Sequence, residues 1–162
     1  MHFLLHEDFY LMFCKQLILW NCIFLENLHI SSLLHDIGKI GVPEHILNKR
    51  SSLTVGERNR IKEHPVIGVN ILKSIKELEG AVAGVRYHHE RFDGQGYPEG
   101  LKNDQIPLVA SIITVADSFD AMSTDRPYRA ALNKIDVVKE IRNLSGRQFS
   151  PEVTDTFLEL CQ

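Results

Sequence analysis

The stretch that decides the fold is 26-ENLHISSLLHDIGKIGVP-43. Leu28, Ile30, Leu33, Leu34 and Ile37 recur at helical spacing and make one broad apolar face, so the segment reads as a helix from about Glu26 to Ile37. Gly38 and Gly41 then open the chain before Pro43. The end of this helix carries residues that do not belong on an apolar face. His35 and Asp36 follow "ISSLL", and an acid placed beside buried surface is costly unless it is paired.

Outward from this segment, helical patterns dominate and alternating strand patterns are scarce. A first helix is expected over about residues 8 to 22. Thr54 with Glu57 forms a capping box that starts another, running toward Glu63. His64-Pro65 marks a break before "VIGVNILKSI", and a further helix runs from about Leu78 to near His89. Residues 90 to 106, with Gly94, Gly96, Pro98 and Gly100, form one long glycine-rich loop, and a loop of that length is more often functional than idle. Pro107 suits the first position of "LVASIITVADSFDAMS", and two last helices fall near Lys134 to Leu144 and Pro151 to Leu160. With no internal repeat or linker, the expectation is a single all-α domain over residues 1–162.

The bulk numbers narrow the partners. The 162 residues are 44% hydrophobic and 24% charged, ordinary values for a chain that buries a core. A formal charge of -3 argues against a nucleic-acid polymer or an anionic membrane surface, both of which are held by clustered Lys and Arg. Lys49-Arg50 and Arg58 to Lys62 read as solvated helix faces. Cys14, Cys22 and Cys161 are odd in number and lack CxxC spacing, which points to a reducing cytoplasm. Lys15, Gln16 and Asn21 interrupt the apolar "FYLMFCKQLILWNCIFL", so no membrane span is expected there. It reads as a buried helix.

Five features remain: His35-Asp36, Lys39, His64, His88-His89 and Asp117. A lone His64 before proline is more often a helix-end residue than a ligand, and a lone Asp117 more often a solvent-facing one. The adjacent pair is harder to place in a core. Neighbouring helical residues point about 100° apart, so His88 and His89 cannot both centre one buried stripe, but both reach a cavity if the helix ends there. Four histidines and two aspartates from several helices are the ligand set of a transition-metal centre.

"LLHDIGKIGVPEHIL", "EHPVIGVNIL", "HHERFDGQGYPEGL" and "VASIITVADSFDAMSTDRPYRAAL" together resemble the successive signatures of the HD-GYP family, HD-type phosphohydrolases that cleave cyclic di-GMP. The resemblance covers about residues 33–162; residues 1–32 diverge. It implies a helical HD bundle with a dinuclear iron or manganese centre held by His35, Asp36, His64, His88, His89 and Asp117. Asp36 would bridge, with His64, His88 and His89 on one ion and His35 with Asp117 on the other.

The resemblance further implies a phosphate contact for Lys39, substrate phosphates for Arg126 and Arg129, a substrate lip at Gly96 and Tyr97, and a supporting place for Asp120. The family has another histidine upstream that falls near Phe3, where His2 and His6 are the candidates. Three functions follow as expectations. The first is hydrolysis of cyclic di-GMP to pGpG or GMP by metal-activated water. The others are a weakly active or inactive binding module and a phosphodiesterase for another cyclic dinucleotide. A sensory or receiver partner protein and self-association are compatible with each.

Overall fold

The computed structural model describes residues 22–125 and 130–161. Eight α-helices lie among them: α1 (Cys22–Leu34), α2 (Glu44–Leu47), α3 (Val55–Lys62), α4 (His64–Leu72), α5 (Val82–Tyr87), α6 (Leu108–Ser123), α7 (Lys134–Asn143) and α8 (Pro151–Leu160). Short 3-10 turns cover Ile37–Gly41, Lys76–Ala81 and Asn103–Gln105. The only β pairing among the described residues is an isolated bridge between Ser145 and Phe149. The all-α expectation holds. The helix expected at about residues 8 to 22 lies almost wholly outside the described residues, and among those no helix is long and apolar enough to cross a membrane.

The core is built around α6. Every residue from Ile112 to Ala116 is buried, so the middle of this helix is enclosed on all sides. From Asp117 onward the helix is only half-buried. Ile112, Ile113 and Val115 pack with Val137 and Ile141 of α7, with Phe149, and with Val153 and Phe157 of α8. The buried middle of α6 therefore anchors the helix, and the emerging part presents Asp117 and Ser118 to a cleft. Burying side chains of this size stabilises by about 1.5–3 kcal/mol each, before the cost of ordering them.

Three local signals act as the sequence predicts. Thr54 accepts from the Glu57 N–H at 3.2 Å while the Glu57 carboxylate accepts from the Thr54 N–H at 2.7 Å, a complete capping box on α3. Pro65 sits in the first turn of α4, where its missing N–H costs nothing. Asn133 caps α7 by accepting from the Asp136 N–H at 3.0 Å.

Several boundaries differ from the sequence reading: α1 is already helical at Cys22 rather than from about Glu26, and two others shift for one physical reason. The helix expected to reach Ile37 ends at Leu34, and the chain turns into the 3-10 segment. A Cβ on Gly38 would lie 1.9 Å from the His64 carbonyl oxygen and 2.6 Å from the Gly68 nitrogen, so two backbones meet there. Likewise the helix expected from Leu78 begins only at Val82, after a 3-10 turn packed on α1. In both places the sequence pattern is helical and tertiary contact tightens the turn. Pro107 caps α6 from just outside rather than opening it, a shift of one residue.

Candidate metal centre

Three histidines are aimed by the same local device. His35 Nδ1 lies 2.7 Å from the Ser32 carbonyl, His64 Nδ1 2.8 Å from the Ile61 carbonyl and His88 Nδ1 2.9 Å from the Val85 carbonyl. Each ring donates Nδ1–H to the carbonyl three residues earlier, which leaves Nε2 with a free lone pair turned away from its own backbone. His64 and His88 are buried, with only 1% of each exposed.

These lone pairs converge on Asp36. Its Oδ1 lies 3.2 Å from His64 Nε2 and 4.0 Å from His88 Nε2. Its Oδ2 faces the other way, 3.5 Å from His35 Nε2 and 2.5 Å from Lys39 Nζ. Asp36, His64, His88 and His89 each offer a donor atom, and those atoms lie within 4.8 Å of one another. His35 Nε2 stands 4.0 Å from Asp117 Oδ1 on the far side of Asp36. Six residues spread over 83 positions of sequence, from His35 to Asp117, thus meet at one place.

The donor set fits a divalent cation on its chemistry. His64 Nε2 and His88 Nε2 are 3.2 Å apart, and both rings have already committed their proton to a carbonyl. Two lone pairs cannot face each other at that distance in a buried place unless a proton or a cation lies between them. Imidazole nitrogens beside a carboxylate are the ligands such an ion prefers.

The electrostatics agree. Burial, and then the positive charge a neighbouring imidazole would carry, push His88 down to about 2 and His89 down to about 3, so both are neutral at pH 7. Burial alone would raise the Asp36 carboxyl, but the His35 and His64 rings against it and the charge of Lys39 hold it well below the usual range. Burial disfavours charged His35, yet Asp36, the Ser32 carbonyl and Asp117 together raise it above its ordinary value. An ionised Asp36 and neutral His88 and His89 are the protonation states a metal requires, whereas His35, favoured in its charged form by these neighbours, must release a proton to bind one.

A cleft of about 220 Å³ opens beside the cluster, lined by His88, His89, Tyr97, Asp117, Lys62 and Gln148 among others. The Tyr97 ring stacks on His89, centroids 4.8 Å apart and planes 25° apart, so it buttresses that imidazole. Burial, then the charges of Asp36 and Asp117, raise the Tyr97 phenol above its ordinary range. Gly96 is required by close approach, not by backbone sign: a Cβ there would lie 2.4 Å from the Arg91 nitrogen and 2.5 Å from the Glu90 Cα. Gly94 is the one of the two with positive φ, at 78°.

Some residues lie away from the cluster. Asp120 accepts from the Thr124 hydroxyl at 3.4 Å and does not line the cleft. Arg126, Arg129, His2 and His6 fall outside the described residues.

Other residues carry structural weight that the sequence did not reveal. Glu90 is 1% exposed, and its carboxylate accepts from the N–H groups of Glu99, Gly100 and Leu101 at 2.8, 3.1 and 3.0 Å. It fixes the segment that follows Tyr97. Thr114 Oγ1 lies 2.7 Å from the His88 carbonyl, which ties α6 to the paired histidines. Gln148 accepts from Arg91 at 3.1 Å and reaches the Ser118 hydroxyl at 3.3 Å, joining the loop to α6. In the sequence, Glu90 adjoining the histidine pair was the one available signal among these.

Comparison with known proteins follows the same lines. The HD domain family model matches residues 8–153. A cyclic di-GMP phosphodiesterase of Thermotoga maritima is 44% identical over 142 residues, covering 85% of this chain and 38% of that protein. A 3'3'-cGAMP-specific phosphodiesterase of Vibrio cholerae is 43% identical over 102 residues, covering 63% of this chain and 22% of that protein. The chain thus spans well under half the length of these relatives. An HDG"Y"P protein from Bdellovibrio bacteriovorus shares the fold with a TM-score of 0.72 at 18% identity, over 94% of this chain and 48% of that one. With the family model spanning most of its length and the HD pair and the His-His-GYP segment in order, the chain belongs to the HD domain family, in its HD-GYP branch.

Proposed function

We propose that the chain is a metal-dependent phosphodiesterase that hydrolyses cyclic di-GMP to pGpG or GMP. The observation that carries this reading is the pair of inward Nε2 lone pairs of His64 and His88, 3.2 Å apart beside the Asp36 carboxylate. A divalent metal bound there supplies the charge that makes water nucleophilic at neutral pH and offsets negative charge at phosphorus. Iron and manganese both suit imidazole with carboxylate.

The chain's own residues do the rest. His64, His88 and His89 would hold one ion and His35 with Asp117 would serve a second, and Asp36, with one oxygen toward each group, would be shared by both. Lys39 Nζ pairs with Asp36 Oδ2 at the edge of the cluster, which supports a role for its ammonium in offsetting charge on the scissile phosphate. Tyr97 keeps His89 in place and, with Gly96, forms the lip over which substrate enters. Arg126 and Arg129 are assigned to substrate phosphates on the motif alone.

Metal-loaded protein incubated anaerobically with cyclic di-GMP and Fe(II) or Mn(II) should release pGpG or GMP, resolved by chromatography. Absence of turnover with both metals contradicts the reading. A second substrate is worth the same test, because the Vibrio cholerae relative is named for 3'3'-cGAMP. Pocket contacts rather than the metal cluster select the bases, so relative kcat/KM on the two dinucleotides decides between them.

A further inference from the structure

The basic stretch Arg58 to Lys62 is a solvated face as the sequence suggests, with Arg58, Arg60 and Lys62 all exposed, but its last residue has a second place. Arg60 pairs with Glu63, but Lys62 lines the cleft beside His88, His89, Tyr97 and Asp117. Rings and a cation follow one another outward from the buried cluster. His88 and His89 centroids are 4.1 Å apart, His89 and Tyr97 4.8 Å apart, and Lys62 Nζ stands 5.2 Å from the Tyr97 centroid. A cation resting against an aromatic ring is held in position without being neutralised.

Among the described residues, the other positive charges near the cluster are engaged. Lys39 is paired with Asp36 at 2.5 Å, and Arg91 is held by Asp93 at 2.7 Å and by Gln148 at 3.1 Å. Lys62 has no carboxylate partner among the described residues. It is therefore a placed, uncompensated ammonium on the wall of a cleft whose floor is built to bind a phosphodiester.

A cyclic dinucleotide carries two phosphodiester groups. One must lie on the cluster to be cleaved, and the second then enters the cleft with a full negative charge that Asp117 and Glu90 do nothing to offset. We propose that Lys62 is a substrate-binding residue whose ammonium meets this second, non-scissile phosphate. The assignment rests on the cyclic-dinucleotide reading above and adds a residue and a phosphate to it. Because the interaction is made equally before and during cleavage, it acts on binding and leaves the chemical step unchanged.

The test compares wild type with Lys62→Ala and Lys62→Arg in the metal-loaded 162-residue chain, using cyclic di-GMP as substrate and GMP as product inhibitor. Lys62→Ala is expected to raise KM about tenfold, in line with loss of one charge-assisted hydrogen bond, with kcat within about twofold of wild type. Its metal content and its inhibition by GMP, which has a single phosphate, stay at wild-type levels. Lys62→Arg restores most of the affinity, and the salt dependence of KM weakens in Lys62→Ala. A KM within twofold of wild type in Lys62→Ala, or an equal loss of GMP inhibition, overturns the proposal.

Equilibrium titration of metal-loaded protein with a slowly hydrolysed phosphorothioate analogue of cyclic di-GMP separates this from the enzymatic reading. If wild type binds but never turns over, the enzyme assignment fails, and a tenfold weaker Kd in Lys62→Ala still sustains the Lys62 site. If wild type neither binds nor cleaves, both fail.

Discussion

His64 Nε2 and His88 Nε2 face each other at 3.2 Å, and each ring has given its remaining proton to a carbonyl of its own helix turn. In that state the two side chains cannot satisfy one another without a proton or a cation between them. An ion between them resolves the conflict and makes each dependent on the other. His88→Ala should therefore strip metal from the cluster, seen as metal per chain by elemental analysis, and lower turnover by more than the about 10–100-fold typical of losing an outer-shell partner. A variant that keeps wild-type metal content would remove His88 from the site.

Gly38 lets the HD turn press onto the start of α4, and that contact sets Asp36 against His64. Gly38→Ala would drive a methyl to 1.9 Å from the His64 carbonyl and should cost about 3 kcal/mol in urea denaturation, with loss of metal. Gly56→Ala is the control, because nothing lies within 4 Å of its added Cβ. That variant should gain about 0.4–1 kcal/mol.

Glu90 gathers three N–H groups in a place with 1% exposure. Glu90→Gln replaces one accepting oxygen by a donor, which turns one of these contacts into a clash of two N–H groups. The expected cost is about 1–3 kcal/mol, with faster amide exchange confined to residues 99–101 and little change in metal content. Uniform loss of protection across α6 and α8 would contradict a local role.

Protons should compete with folding in the metal-free protein. His88 and His89 are held to about 2 and about 3, against an ordinary value of 6.5, so the unfolded chain binds protons that the folded protein refuses. Their contribution to stability is fully present above about pH 6.5 and is lost as pH falls from there toward 3. His35 is shifted upward and acts in the opposite sense, but it is one group against two. Urea midpoints for metal-free protein should therefore fall between pH 7 and pH 5, and an unchanged or rising midpoint would show the pair to be accessible to protons in the folded state.

The fold class was legible because apolar spacing at Leu28 to Leu34 and over α6 is helical in either solvent or core. Helix ends were less so: Gly38 stops α1 early through a backbone contact with His64, 26 positions later, which no local pattern encodes. The convergence of Asp36, His64, His88 and His89 was readable from residue type, since adjacent histidines and an acid beside an apolar run have few other uses. Lys62 is solvent-exposed as the sequence suggests, but its place at the cleft was not legible there. Its neighbour in space is Tyr97, 35 positions away, and only the folded chain brings a cation over that ring.

The most direct test of the central claim measures metal content and cyclic di-GMP turnover in the same anaerobically purified preparations of wild type and Asp36→Ala. Wild type should carry iron or manganese, lose turnover on chelation and recover it on re-addition of metal, while Asp36→Ala should lack both metal and activity. Turnover that survives full removal of metal, or metal and activity that survive in Asp36→Ala, would contradict it.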